Sequence, residues 1–226
     1  MSKSIIAMLV ILVLLVAALL VPIMQMSRWD PQLREQISTH DQQSAGADAP
    51  LPAGEPQNVA TLGSADELAQ EFSADNGRLR LLAILSPTTE SSRQAAGYIQ
   101  QELLQAHEDI DISVYVVWIT QRSGDTLEQA RQASGLLSDT RARHYYSSDA
   151  AGSYVADALG YPGDKVWNCI MLFGEEAVWD PEMPAPQRVL QQLGAQHWLG
   201  EQNYATGNDL RNALAALGAE LGSWQF

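Results

Sequence analysis

The chain has 226 residues and a formal net charge of −14, from 27 acidic and 13 basic side chains. No cluster of basic residues occurs, which argues against nucleic acid as a partner. The single cysteine excludes an internal disulfide and a cysteine-based metal cage, and the four histidines stand in no ligand-spaced pair. We therefore expect no metal and no cofactor.

The N-terminus predicts a membrane anchor. Residues 5–24 are twenty consecutive positions without a charge, enough for a helix to cross a bilayer. A cleaved signal peptide is the alternative, but no small-residue cleavage site follows the apolar run. We predict a cytoplasmic head over residues 1–4 and a transmembrane helix over residues 5–26. This topology implies a single-pass protein of the cell inner membrane with its C-terminal part in the periplasm.

The remaining chain divides into a linker, a folded domain and a short tail. Residues 27–57 form a juxtamembrane segment and a polar, proline-rich linker, residues 58–222 the domain, and residues 223–226 the tail. Ser64 and Glu67 match a capping box at the start of a helix that ends near Gly77. Further helices are predicted over residues 89–107, 125–137, 149–159, 187–194 and 208–221. Strands are predicted over residues 78–85, 112–120 and 165–173, with 177–179 pairing to the third in a hairpin.

This alternation of strands and helices predicts an α/β layer fold with a mixed sheet. The order of elements resembles the thioredoxin-like superfamily over roughly residues 58–222. Ser86-Pro87-Thr88, between an apolar strand and a helix, is similar to the lead-in of the redox motif in some membrane-associated or secreted members. The resemblance implies a mixed sheet flanked by helices, here preceded by the transmembrane helix.

The resemblance also identifies positions where the family's redox chemistry is missing. Thr89 and Ser92 stand where the two cysteines of the Cys-x-x-Cys motif would be, and Arg93 stands at the basic position. Ala83 corresponds to the buried acidic residue, and Asn168 to the cis-proline before the third strand. A hydroxyl forms no disulfide and does not exchange electrons as a thiolate does. The resemblance therefore implies a redox-inactive member with no catalytic residue.

Several residues have two interpretations. Cys169 is either a buried, inert thiol or a reactive thiol that forms a mixed disulfide with a partner. The hydroxyls at 89, 91 and 92 either cap the helix or, with Arg93, form an anion or peptide site at its positive end. Trp29 suits the membrane interface. Trp198 and Trp224 suit either protein contacts or packing within the domain.

We predict a non-enzymatic accessory or scaffolding subunit of a membrane protein complex, anchored by one span and bound to a protein partner. The first alternative is a membrane-tethered relative of the thiol–disulfide oxidoreductases that acts through Cys169 or through partner thiols. A third possibility is a peptide-binding, chaperone-like module. No small-molecule substrate is evident from the sequence.

Overall fold

The computed structural model describes residues 53–148, 150–193 and 198–223, which contain a six-stranded sheet. Its strands are β1 (Val59–Thr61), β2 (Leu79–Leu85), β3 (Ile112–Ile119), β4 (Ala142–Ser147), β5 (Cys169–Phe173) and β6 (Arg188–Gln191). They lie in the order β1-β4-β3-β2-β5-β6. Strands β1 to β4 run parallel, and β5 is antiparallel to both β2 and β6. The predicted mixed sheet is confirmed.

Helices cover both faces of this sheet. They are α1 (Ala65–Ala74), α2 (Glu90–Tyr98), α3 (Leu127–Ser134), α4 (Ala150–Leu159) and α5 (Gly207–Gly222), with a 3₁₀ turn at Glu201–Asn203. Helix α2 continues as a π-helical segment, Ile99–Gln105. Helices α2, α3 and α5 pack on one face, and α1 and α4 on the other. Because the central strands β2 and β3 are covered on both sides, every residue in them is buried and nearly all are apolar.

The strand directions create two chemically different edges. The carboxyl ends of β1 to β4 meet where β5 begins, and we call this the carboxyl edge. At the opposite edge, the amino edge, β2 and β3 begin and β5 ends. Loops at the carboxyl edge of parallel strands are where α/β proteins commonly place their functional groups.

Several predicted elements are confirmed within a few residues. Helix α1 begins after Ser64, whose hydroxyl accepts a hydrogen bond from the Glu67 amide at 3.3 Å. The Glu67 carboxylate accepts from the amide of Gly63 at 2.8 Å, one residue earlier than in a standard capping box. The strands predicted over residues 78–85 and 112–120 form as β2 and β3, and the C-terminal helix forms as α5.

Two predicted elements are wrong. Residues 187–194 were expected to be helical, but Arg188–Gln191 is strand β6, which pairs with β5. The expected hairpin partner, residues 177–179, lies instead in the loop between these strands. Pairing of β6 with β5 buries Val189 and Gln191 on one sheet face, and this packing outweighs the helical tendency of a short Gln- and Leu-rich segment.

The predicted membrane span and most of the linker lie outside the described residues. Among the residues that are described, no helix is both long enough and apolar enough to cross a bilayer.

Candidate functional site

Thr89 and Ser92, the positions that the resemblance seen in the sequence assigns to a redox motif, lie at the carboxyl edge, where β2 leads into α2. Ser92, in the first turn of α2, is fully buried. Its hydroxyl accepts a hydrogen bond from the Ser86 amide at 2.9 Å and donates a short one to the side-chain oxygen of Asn168. The residue at the second cysteine position therefore bonds both to the end of β2 and to the residue that precedes β5.

Asn168 stands at the position that the family resemblance assigns to a cis-proline. Its φ of 49° is in the left-handed region, which asparagine tolerates better than most residues. The side-chain amide donates to the Ser91 hydroxyl at 2.7 Å, and the backbone carbonyl accepts from the Gln192 amide at 2.9 Å. These bonds engage the side-chain amide and the backbone carbonyl of Asn168 within the protein.

Thr89, at the first cysteine position, is 2% exposed. It stands at the N-cap position of α2, but its side chain makes no capping hydrogen bond. Instead its hydroxyl lies 2.8 Å from that of Ser86, which donates to Asp125. Of the two interpretations of the hydroxyls at the start of α2, capping does not hold for Thr89, because Ser86 offers its hydroxyl a buried partner three residues earlier.

Asp125 is the centre of this network, and it was not among the residues selected from the sequence. Its carboxylate, 3% exposed, accepts from the Ser86 hydroxyl at 3.0 Å and from the Thr88 hydroxyl at 2.5 Å. It also accepts from the backbone amides of Thr88, at 3.2 Å, and of Gln121 and Arg122, each at 2.8 Å. A single carboxylate thus joins the loop after β2 to the loop after β3. Buried carboxylates require such compensation because burial removes their hydration.

Arg93 and Ala83 occupy the remaining positions from the family comparison. The half-buried Arg93 guanidinium donates weakly to the Pro87 carbonyl at 3.5 Å. Ala83 is buried in β2 between Val116 of β3 and Ile170 of β5. A methyl group at this position can neither take up nor release a proton.

Cys169 does not face the vacant motif. It begins β5 with its side chain in the core layer beneath α1 and α4, whereas α2 packs on the opposite sheet face. The thiol is free and completely buried, and burial raises its pKa to about 12. Because the thiolate is the reactive form, a buried thiol with a raised pKa is a poor nucleophile at neutral pH.

A second buried polar group, His144 of β4, lies deeper in the core. The Trp118 indole donates to its Nδ1 at 3.2 Å, and its Nε2 is 2.8 Å from the Leu137 carbonyl. An indole N–H can only donate, so Nδ1 is the acceptor and Nε2 carries the proton. Burial lowers the pKa of His144 to about 4, so this imidazole is neutral at physiological pH.

The tryptophans selected as contact residues have different positions. Trp198 is half-buried, and its ring makes an edge contact with Tyr161 at a centroid distance of 4.8 Å. Trp29 and Trp224 lie outside the described residues. Trp118 and Trp167, which lie in β3 and just before β5, are both buried. Within the part of the chain that the structure describes, no group of three or more potential metal ligands is found.

No protein-family profile matches the chain, and no curated protein sequence matches it. Among solved structures, a thioredoxin-like protein in its oxidised form is similar with a TM-score of 0.45 and 9% identity, over 79% of this chain and all of that one. The thioredoxin domain of a thiol-disulfide oxidoreductase from Bacteroides vulgatus gives a TM-score of 0.37 and 14% identity, over 66% of this chain and 82% of that one. A candidate protein disulfide isomerase from Bacteroides thetaiotaomicron gives a TM-score of 0.41 and 12% identity, over 76% of this chain and 91% of that one.

All three TM-scores are below 0.5, and these likenesses carry no conclusion about this chain. The topology of the described residues is an α/β fold with a mixed sheet, helices on both faces and the helix α2 beginning after the central strand β2. At the start of α2, the positions that the resemblance assigns to a redox pair carry hydroxyls held in internal hydrogen bonds.

Proposed function

We propose that the protein is a non-enzymatic accessory or scaffolding subunit of a membrane complex, in which the thioredoxin-like domain binds a protein partner and carries out no redox step. The observation that carries this proposal is the state of the motif positions. Thr89 and Ser92 are buried hydroxyls whose hydrogen bonds end on Ser86, Asp125 and Asn168. A site closed by internal bonds supports a structural role.

The position of Cys169 also supports this proposal. A redox cycle needs an accessible thiolate, and in most dithiol enzymes a second thiol resolves the mixed disulfide. Cys169 is the only thiol of the chain, it is completely buried, and it lies on the sheet face opposite α2. A partner disulfide could reach its sulfur only after β5 separates from the helices that cover it.

The membrane location belongs to the same proposal. An apolar run over residues 5–24, followed by a proline-rich linker, suits a single span that holds the domain at the periplasmic face of the inner membrane. An accessory subunit gains affinity from such tethering, because confinement to one membrane raises its effective concentration near the partner.

The second candidate is a thiol–disulfide oxidoreductase that works through Cys169 or through thiols of the partner. Its support is the thioredoxin-like topology together with the presence of one thiol next to Asn168. The two candidates differ in the chemistry that links protein and partner, which is a covalent disulfide in one and non-covalent contact in the other.

The test is purification of the full-length protein from its own membranes in a mild detergent, after thiols have been blocked. The accessory role predicts a partner in stoichiometric amount that separates from the protein on non-reducing gels. The Cys169→Ser variant should retain this partner at the wild-type yield. A partner that remains covalently attached without reductant, and is lost in Cys169→Ser, would establish the oxidoreductase instead.

A further inference from the structure

The segment that leads into β1 is fastened to the C-terminal end of helix α3. The Gly54 amide donates to the Gly135 carbonyl at 2.7 Å, and the Gln57 amide donates to the Ser134 hydroxyl at 2.8 Å. Gly135 stands at the end of the helix, where backbone carbonyls have no partner within the helix itself. We call residues 53–58 the strap, because they cross this helix end from outside and supply the missing donor.

Two glycines meet where the strap crosses the helix end. A Cβ on Gly135 would lie 2.5 Å from the carbonyl oxygen of Gly54 and 3.3 Å from its carbonyl carbon. The backbone of Gly135, with φ −63° and ψ −16°, is in the right-handed helical region, which alanine adopts without strain. Glycine at position 135 is therefore required by the close approach of the strap and not by its own backbone conformation.

The strap is held through its backbone. Residues 53–56 and 58 are exposed and Gln57 is half-buried, whereas Ser134 and Gly135 beneath the strap are buried. The strap therefore covers a hydroxyl and backbone groups of α3 but buries no apolar side chain of its own. Segments with few buried apolar contacts open at a lower free energy than the core. The strap can consequently detach while the rest of the domain remains folded.

Strand β1, which follows the strap, has few attachments of its own. It has three residues, Val59–Thr61, and lies at the edge of the sheet. Its one neighbouring strand is β4, where it pairs with His144, Tyr145 and Tyr146. Short terminal segments fray unless other contacts tie them down. A pull on the chain from its N-terminal side meets the strap before it meets β1.

We propose that the strap is a load-bearing clip that takes up tension on the membrane tether before this tension reaches β1. The load comes from the anchored linker, so the clip rests on the membrane tether of the proposed function. When the clip opens, the six residues of the strap join the tether. At about 3.3–3.6 Å per residue they lengthen it by about 20 Å. The domain then yields to a pull without losing a strand of its sheet.

The test applies force to single molecules of the full-length protein in mild detergent, in a Cys169→Ser background. Handles are attached to cysteines introduced by Ser44→Cys, in the linker, and by Phe226→Cys, at the C-terminus. Gly135→Ala is the strap variant. Gly222→Ala in α5 is the matched control, because a Cβ at that position would meet no atom outside its own helix closer than 3.5 Å.

We expect two separate steps in the wild type, a gain of about 20 Å in contour length at low force and then unfolding of the domain at higher force. Gly135→Ala should lack the first step, and the control should keep it. Hydrogen exchange resolved by residue should agree. In the wild type and the control, the Gly54 and Gln57 amides should exchange about tenfold or more slower than in an unstructured peptide, and in Gly135→Ala at the unstructured rate.

A stability comparison shows whether the substitution acts through the strap. Alanine is favoured over glycine in a helical conformation, so Gly135→Ala should raise the urea midpoint of a full-length chain from which residues 53–58 are deleted. With the strap present, the same substitution should raise the midpoint less or lower it. Equal changes in the two backgrounds would overturn the clip.

A wild-type protein that unfolds in one step, without the early gain of about 20 Å, would overturn the clip while leaving the accessory role intact. Release of the full-length protein from membranes by alkaline extraction would overturn the membrane tether itself, and the load-bearing role with it.

Discussion

The two edges of the sheet use buried polar side chains in different ways. At the carboxyl edge, Asp125 and Asn168 connect loops through hydroxyls and backbone amides. At the amino edge, one buried cation, Arg80, binds five oxygens, of which four belong to backbone carbonyls. One edge holds a closed network of polar side chains, whereas the other supports an exposed, acidic loop, residues 174–186 between β5 and β6. The closed network thus lies at the carboxyl edge, where the resemblance seen in the sequence would place redox chemistry, and the exposed, charged loop lies at the opposite edge.

The largest loss of folding stability is expected from a substitution at the amino edge. Arg80→Ala should lower the free energy of unfolding by about 3–5 kcal/mol, because it removes a buried charge that donates to five oxygens and leaves carbonyls without donors. Arg78→Ala is the matched control, since Arg78 pairs with Asp111 at 2.6 Å but its side chain is half exposed. The control should cost about 1 kcal/mol or less. Equal losses of unfolding free energy for the two variants in urea titrations would contradict a larger role for the buried Arg80 than for the exposed Arg78.

Acid should destabilise the domain through His144. Its folded-state pKa, about 4, is below the ordinary value of 6.5, so the unfolded chain binds the proton first as the pH falls. Stability is therefore complete above pH 6.5 and decreases towards pH 4, by about 3 kcal/mol in total. A protonated Nδ1 would also face the Trp118 N–H, a donor. His144→Gln should show a shallower decrease in this window, and equal slopes would contradict the assignment.

The carboxyl edge should respond strongly to Asp125. Asp125→Asn keeps the shape but replaces one acceptor oxygen by an NH₂ group directed at donors, and about 2 kcal/mol should be lost. Asp111→Asn, at an exposed ion pair, should cost less than about 1 kcal/mol. Hydrogen exchange should show faster exchange at the Gln121 and Arg122 amides in the Asp125 variant. Unchanged exchange would mean that the carboxylate does not hold this loop.

The smallest expected loss of stability is at Asn168, where two variants separate the contribution of its side-chain hydrogen bonds from that of its left-handed backbone conformation. Asn168→Gly accommodates a φ of 49° but loses the bonds to Ser91 and Ser92, and should cost about 1 kcal/mol. Asn168→Ala loses the same bonds and adds the penalty of the left-handed conformation, about 1 kcal/mol more. The thermal unfolding midpoint should therefore be highest for the wild type, lower for Asn168→Gly and lowest for Asn168→Ala. A more stable alanine variant would exclude backbone strain as a factor.

The elements that the sequence predicts well are those with local signals. Helix α1 has a capping pair three residues apart, and β2 and β3 are continuous apolar runs. Strand β6 was predicted as helix because its four residues gain their conformation from pairing with β5. The edge strand β1 has three residues, too few for a periodic pattern.

The site was predictable only in part, for a related reason. Thr89, Ser92 and Asn168 were found from the family resemblance, and the structure brings them into one region. Asp125 was missed because its side-chain partners are 37 and 39 residues earlier, and no local pattern relates them. The opposite orientation of Cys169 depends on strand register, which the sequence alone does not specify.

The most direct test of the central claim is a turnover assay on the full-length protein in mild detergent, with dithiothreitol as reductant and insulin as substrate. The account predicts a rate equal to that of dithiothreitol alone for the wild type and for Cys169→Ser, because the motif positions hold hydroxyls and the one thiol is buried. Insulin reduction above this background that disappears in Cys169→Ser would contradict the claim and establish Cys169 as a redox residue.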